Sequence, residues 1–113
     1  MREIKAIIQP FMLEHVLRAL AAIEGLPGLT VSQVLGWGRS RAAEAGDSVS
    51  HAGHAFANKA KLELVVPDEL APRVVETIAQ AARTGRPGDG KIFEYEVGRV
   101  VRVRTGQEGS EAL

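Results

Sequence analysis

The chain has 113 residues, with 14 Lys or Arg, 14 Asp or Glu, three His and no Cys, so its formal charge at neutral pH is zero. That balance gives no basic field for nucleic acid and no acidic excess for disorder, and the length fits one domain over residues 1–113. No apolar run approaches membrane-spanning length, and the charges in Met1-Arg2-Glu3-Ile4-Lys5 argue against a signal peptide; with the missing cysteines, they lead one to expect a soluble cytoplasmic protein.

In chain order, Ile4 to Gln9 is a short apolar run that predicts a buried strand stopped by Pro10. Leu13, Val16, Leu17 and Leu20 then recur at helical spacing, with Glu14 and Arg18 on the other side and Gly25 where a C-cap belongs. His15 lies in this helix without a second ligand at a spacing of three or four, so it reads as a surface histidine. Leu26-Pro27-Gly28 is turn chemistry, and Leu29 to Trp37 alternates as a second strand, with Leu29, Val31, Leu35 and Trp37 on one parity. From Gly38 to Asn58 neither period holds, which predicts a long mobile arm, with a short helix across Arg41 to Ala45 as the alternative.

Alternation resumes at Lys61 to Val66, where Leu62, Leu64 and Val66 are expected to face the helices. Pro67-Asp68-Glu69 predicts a helix start with Asp68 as N-cap, and Leu70, Val74, Ile78 and Ala81 form its apolar stripe; Pro72 must fall in the first turn, and Gly85 ends the helix. Ile92 to Val97 is a fourth strand, and Val100 to Arg104 a short fifth with Arg102 and Arg104 on one face. The tail, about residues 105–113, is polar and has no framework of its own. The order is a doubled βαβ, which predicts an α+β, ferredoxin-like fold: an antiparallel sheet with two helices on one face. Ile7, Val34 and Val65 leave the other face partly apolar, as expected of a surface that meets another subunit.

The chemistry concentrates in Thr84-Gly85-Arg86-Pro87-Gly88-Asp89-Gly90-Lys91-Ile92-Phe93. Gly85, Gly88 and Gly90 permit positive φ and close backbone approach, so N–H groups can converge on an anion while Lys91 adds charge. The loop is not a Walker A sequence, since no Ser or Thr follows the Gly-Lys pair and a strand follows in place of a helix. A plain helix-to-strand connection fits the same pattern. Arg39, Arg102 and Arg104 would add forked donors suited to phosphate, although two arginines on one strand face also suit a solvated edge. His51 and His54 in the arm could chelate a transition metal or simply be solvated.

Four blocks carry a resemblance: Ile7-Ile8-Gln9-Pro10-Phe11, Gly36-Trp37-Gly38-Arg39, Thr84 to Phe93, and Arg102-Val103-Arg104-Thr105-Gly106. In order and spacing they resemble the PII signal-transduction family, trimeric regulators best known from nitrogen control. The resemblance implies a homotrimer with an adenine nucleotide (ATP, ADP or AMP, with or without Mg²⁺) in the cleft between subunits. The positions that match its nucleotide-binding residues are Ile7, Thr30, Gly36, Trp37, Gly38 and Arg39, then Val65, Gly88, Asp89, Gly90, Lys91, Arg102 and Arg104. Ile7 and Val65 would wall the adenine, Arg39 and Gly88 to Lys91 would meet the phosphates, and Arg102 and Arg104 would reach in from the adjoining chain. Trp37 stands where the family commonly has Phe and keeps a flat apolar wall.

Departures from the family pattern fall in the arm. Nitrogen-sensing members place a Gln, which ligates the Mg²⁺ that holds 2-oxoglutarate, where this chain has Ser40; Lys59 does match the lysine that pairs with the 2-oxoglutarate carboxylate. The tyrosine that enterobacterial members uridylylate is replaced by Ala52, and Ser50 falls where cyanobacterial members carry a phosphorylated serine. By resemblance the arm engages a partner protein, a membrane transporter for many members, without membrane insertion or nucleic acid. No catalytic triad, carboxylate pair or complete metal-hydrolase motif is present, so a regulator and not an enzyme is expected. The competing readings are a metal-responsive trimer related to tolerance and efflux functions, and a slow nucleotide hydrolase.

Overall fold

The computed structural model describes residues 1–37, 48–51 and 54–113. Among them the elements run β1 (Arg2–Ile8), α1 (Leu13–Ala21), β2 (Thr30–Gly36), β3 (Ser48–His51), β4 (His54–Val66), α2 (Ala71–Ala82) and β5 (Gly90–Glu96). The sheet is antiparallel in the order β2-β4-β1-β5, with β3 paired to the first part of β4. This is the expected ferredoxin-like α+β arrangement, with a hairpin added at one end.

Alternation in the strands decides which face the helices cover. Ile4, Ala6 and Ile8 stand opposite Leu64, Leu62 and Ala60 in register, and all six are buried. Val16 and Leu20 of α1 and Val74 and Ile78 of α2 close over them with no exposed surface. Burying each large aliphatic side chain contributes about 1.5–3 kcal/mol, so this one-sided layer is the main source of stability. Pro72 sits in the first turn of α2, where its missing N–H has no helical acceptor to lose.

Among the described residues no helix covers the opposite face, which carries Ile7, Val34 and Val65, as expected from the sequence, among Lys5, Lys61 and Glu63. Phe93 and Tyr95 flank Lys5 there, with its ammonium 5.4 Å and 5.1 Å from their ring centroids. A hydrogen bond with Tyr95, and then its charge, hold the Lys5 pKa above the usual lysine value. The aromatic surface is thus shared with a cation and half-exposed.

Four local expectations are revised. Asp68 does not cap α2: its carboxylate accepts a 2.7 Å hydrogen bond from the Met1 ammonium, while the chain enters the helix through a 3-10 turn over Asp68–Leu70. β4 begins at His54 and not at Lys61, because pairing with β3 and β2 supplies backbone partners that the small residues Ala55 and Ala57 do not advertise. The expected arm, about residues 38–58, therefore contains two strand segments, whereas a helix over Arg41 to Ala45 lies outside the described residues. Finally, Val100 to Arg104 does not form a fifth strand of the sheet. Val101 makes an isolated bridge with Glu108, Val103 is 99% exposed, and the tail folds back as a 3-10 turn over Gly109–Ala112. Apolar alternation suggests a strand, but among the described residues no strand pairs along this stretch and Val103 stands in solvent.

Candidate functional site

The glycine loop follows the end of α2 and is built around its own carboxylate. Asp89 accepts 2.8 Å hydrogen bonds from the N–H groups of Thr84 and Gly85 and a short one from the Thr84 hydroxyl. Burial works to raise the Asp89 pKa, but the bonds from the Thr84 hydroxyl and from the Thr84, Gly85 and Arg86 amides outweigh it and hold the pKa below its ordinary 3.8. The donors at 84 and 85 are therefore satisfied inside the loop. The Asp89 side chain thus serves the loop itself.

A pH dependence follows. Because folding lowers the Asp89 pKa, its contribution is complete above 3.8 and is lost as pH falls through the lower folded value. Hydrogen exchange at the Thr84 and Gly85 amides is expected to lose protection selectively in that acidic window. Asp89→Ala is expected to remove that protection at neutral pH and cost about 1–2 kcal/mol in chemical denaturation.

Gly90 then brings the loop onto the end of β1. Its φ is +112°, and a Cβ there would lie 1.8 Å from the Ile7 carbonyl oxygen, so no other residue fits without moving β1 or β5. Lys91 follows opposite Ile7 in register. Beneath the loop, the Lys59 ammonium donates a 2.7 Å hydrogen bond to the Gly88 carbonyl, and the buried Gln9 approaches so closely that a Cβ on Gly88 would come within 3.0 Å of its Nε2. A Cβ on Gly36 would meet the Lys59 stem at 3.2 Å, which ties the end of β2 to the same place. Trp37, 52% exposed, lies next to it with its ring 6.5 Å from that of Phe56.

Ile7, Gly36, Trp37, Lys59, Gly88, Asp89, Gly90 and Lys91 thus gather at one end of the sheet. Thr30 and Val65 do not join them: they line a cleft of about 380 Å³ with Glu3, Gly28, Leu29, Glu63 and Leu64. On β4, Val65 stands four positions from Lys61, the partner of Ile7, so Ile7 and Val65 are about 13 Å apart along the strand direction and cannot flank one base within a single chain. Arg102 and Arg104 follow the far end of β5, beyond Val97, whose N–H bonds the Met1 carbonyl at 3.1 Å. The residues expected to bind nucleotide therefore do not form one cluster within a single chain.

The two arginines differ in state. Arg102 is engaged by the Gln107 side chain at 3.1 Å and by the main-chain oxygens of Glu111 and Leu113 at 3.3 Å and 3.0 Å. Arg104 is exposed and makes no hydrogen bond or ion pair to the described residues. Gly38, Arg39 and Ser40 lie outside the described residues, while His51 and His54 occupy facing register positions of the β3–β4 hairpin. Sequence reasoning missed Gln9, a buried amide at the end of β1; a polar residue closing an apolar run was the available signal.

The fold and this glycine loop define a class: a small ferredoxin-like α+β protein with a glycine-rich loop against the end of its sheet. The family model of nitrogen regulatory protein P-II matches residues 1–107. The chain is 44% identical to nitrogen regulatory protein P-II 1 of Escherichia coli strain K12, 43% to nitrogen regulatory protein P-II of Haemophilus influenzae and 46% to that of Rhizobium etli, in each case over the whole of both chains. The chain belongs to the P-II family, whose members are signal-transduction regulators and not enzymes. Among the described residues no helix is long and apolar enough to cross a membrane.

Proposed function

We infer that this P-II protein assembles as a cytoplasmic homotrimer, binds adenine nucleotides between subunits, and passes occupancy to a partner protein through the segment joining β2 to β4. The observation that carries the reading is the separation of the partial sites. Lys91, Gly88 and Ile7 stand at one end of the sheet, while Thr30 and Val65 line a cleft toward the other, and Arg102 and Arg104 follow that end of β5 in the chain. Two chains related by rotation can bring one half of each kind together, and closed cyclic assembly repeats that cleft once per subunit. The half-exposed Phe93 and Tyr95 on the face opposite the two helices would be buried by the same assembly.

Signalling would follow from a shifted equilibrium. Lys59 reaches from β4, which continues into the hairpin, to the Gly88 carbonyl, so a ligand that draws the ammonium away changes contacts at the hairpin base. The partner is a protein, with a membrane transporter as the first candidate. Calorimetric titration with ATP, ADP and AMP is the test. Mutually competitive binding of ATP and ADP at one site per chain is expected, and the absence of nucleotide binding would overturn the reading.

The small effector is expected to differ from that of nitrogen sensors. Ser40 offers a short hydroxyl where an amide oxygen would ligate Mg²⁺, so 2-oxoglutarate is expected to bind the Mg-ATP form weakly. Ser40→Gln is expected to tighten that binding at least about tenfold. Tight 2-oxoglutarate binding by the unaltered chain would contradict this assignment.

A further inference from the structure

Arg102 offers the same guanidinium to two uses. In the structure it is occupied: its two terminal nitrogens meet the Gln107 side chain and the main-chain oxygens of Glu111 and Leu113. These contacts belong to a folded hook. Arg99 pairs with Glu108 at 2.6 Å, the Arg102 N–H bonds the Gln107 carbonyl at 2.8 Å, and the Gly109 N–H bonds the Val100 carbonyl at 3.0 Å. The hook thus stands on backbone contacts and one ion pair that do not need the Arg102 side chain. Its last residues contribute chiefly acceptors for that side chain, and a polyphosphate presents the same kind of acceptor with more charge.

We propose that the C-terminal residues 111–113 act as an internal competitor for Arg102, so that a nucleotide polyphosphate must displace them to recruit this arginine. The proposal rests on the nucleotide reading above, and adds that tail release accompanies phosphate binding. A guanidinium held by the Glu111 carbonyl, the Leu113 carboxylate oxygen and the Gln107 amide leaves them for a more highly charged polyphosphate at a net gain, but apparent affinity is reduced by the fraction of time the tail holds it. Arg104, with no described partner, has no such competitor. The device therefore weakens triphosphate and diphosphate binding more than monophosphate binding, and makes the tail surface report nucleotide occupancy.

The test compares the full chain with a variant lacking residues 111–113, which keeps Glu108 and the Arg99 pair, and with Gln107→Ala. Titrations use ATP and AMP, and hydrogen exchange follows the Gly109 and Leu113 amides of the full chain. Truncation is expected to tighten ATP about three- to tenfold and to leave AMP within about twofold, with a smaller gain for Gln107→Ala. Adding ATP to the full chain is expected to raise exchange at Leu113. Unchanged or weaker ATP binding on truncation, with Leu113 exchange indifferent to ATP, overturns the competition while leaving nucleotide binding intact. A full chain and truncated variant that both fail to bind ATP would overturn this proposal together with the reading on which it rests.

Discussion

Gly90→Ala is expected to cost about 3 kcal/mol or more of folding stability, lower the melting temperature by about 10 °C, and remove nucleotide binding with it. The new methyl would lie 1.8 Å from the Ile7 oxygen and 2.8 Å from its carbonyl carbon, and both are backbone atoms of a central strand. Nothing flexible can yield. Relief requires β5 to withdraw from β1 at its first residues, which breaks the Ile8–Gly90 and Ile7–Lys91 pairing that places Lys91. Gly85→Ala separates the two possible causes, because Gly85 also has positive φ, +87°, but no atom within 4 Å of a Cβ. It is expected to cost only the backbone penalty of about 1–2 kcal/mol. Equal losses for the two variants, read by chemical denaturation, would show that conformation and not the close approach of the strands makes Gly90 necessary.

The second large effect concerns affinity. Lys91→Ala and Arg104→Ala are each expected to weaken ATP by about tenfold to more than a hundredfold, since removing one charged donor costs about 1.5–3 kcal/mol. AMP is expected to lose less, because it lacks the distal phosphates that these groups would meet. Both side chains are exposed, so stability should change little, and melting curves of the two variants provide the control. Arg102→Ala is expected to lose less ATP affinity than Arg104→Ala, because the native Arg102 first has to leave the Gln107, Glu111 and Leu113 oxygens. Equal losses for ATP and AMP would place Lys91 and Arg104 away from the polyphosphate.

What the chain discloses of this structure depends on the range of the interactions. The helices and the inner strands are legible because burial is periodic: Ile4, Ala6, Ile8 and Leu62, Leu64, Val66 alternate, and Val74 and Ile78 recur with the helix. The β3–β4 hairpin is not, since Ala55 and Ala57 have little burial pattern and their strand state comes from backbone partners far along the chain. Asp68 shows the same limit, as an acidic residue before a helix resembles a cap until the Met1 ammonium is seen beside it. Glycine density marked a loop, but its internal bonding was hidden: Asp89 takes up donors that sequence alone would assign to an anion. Nor does any spacing reveal that the matching residues divide between two ends of a sheet.

Subunit complementation tests the central claim most directly. Chains carrying Lys91→Ala keep an intact Arg104, and chains carrying Arg104→Ala keep an intact Lys91. If each site takes its loop from one subunit and its arginines from the next, a trimer containing both kinds of chain holds one cleft with both groups intact. Coexpressed, differently tagged chains can be purified as mixed trimers and titrated with ATP. Recovery of one site per mixed trimer with nearly the affinity of the unaltered protein is expected, while either variant alone stays weak. Mixed trimers that bind no better than the two parents would contradict a nucleotide site shared between subunits.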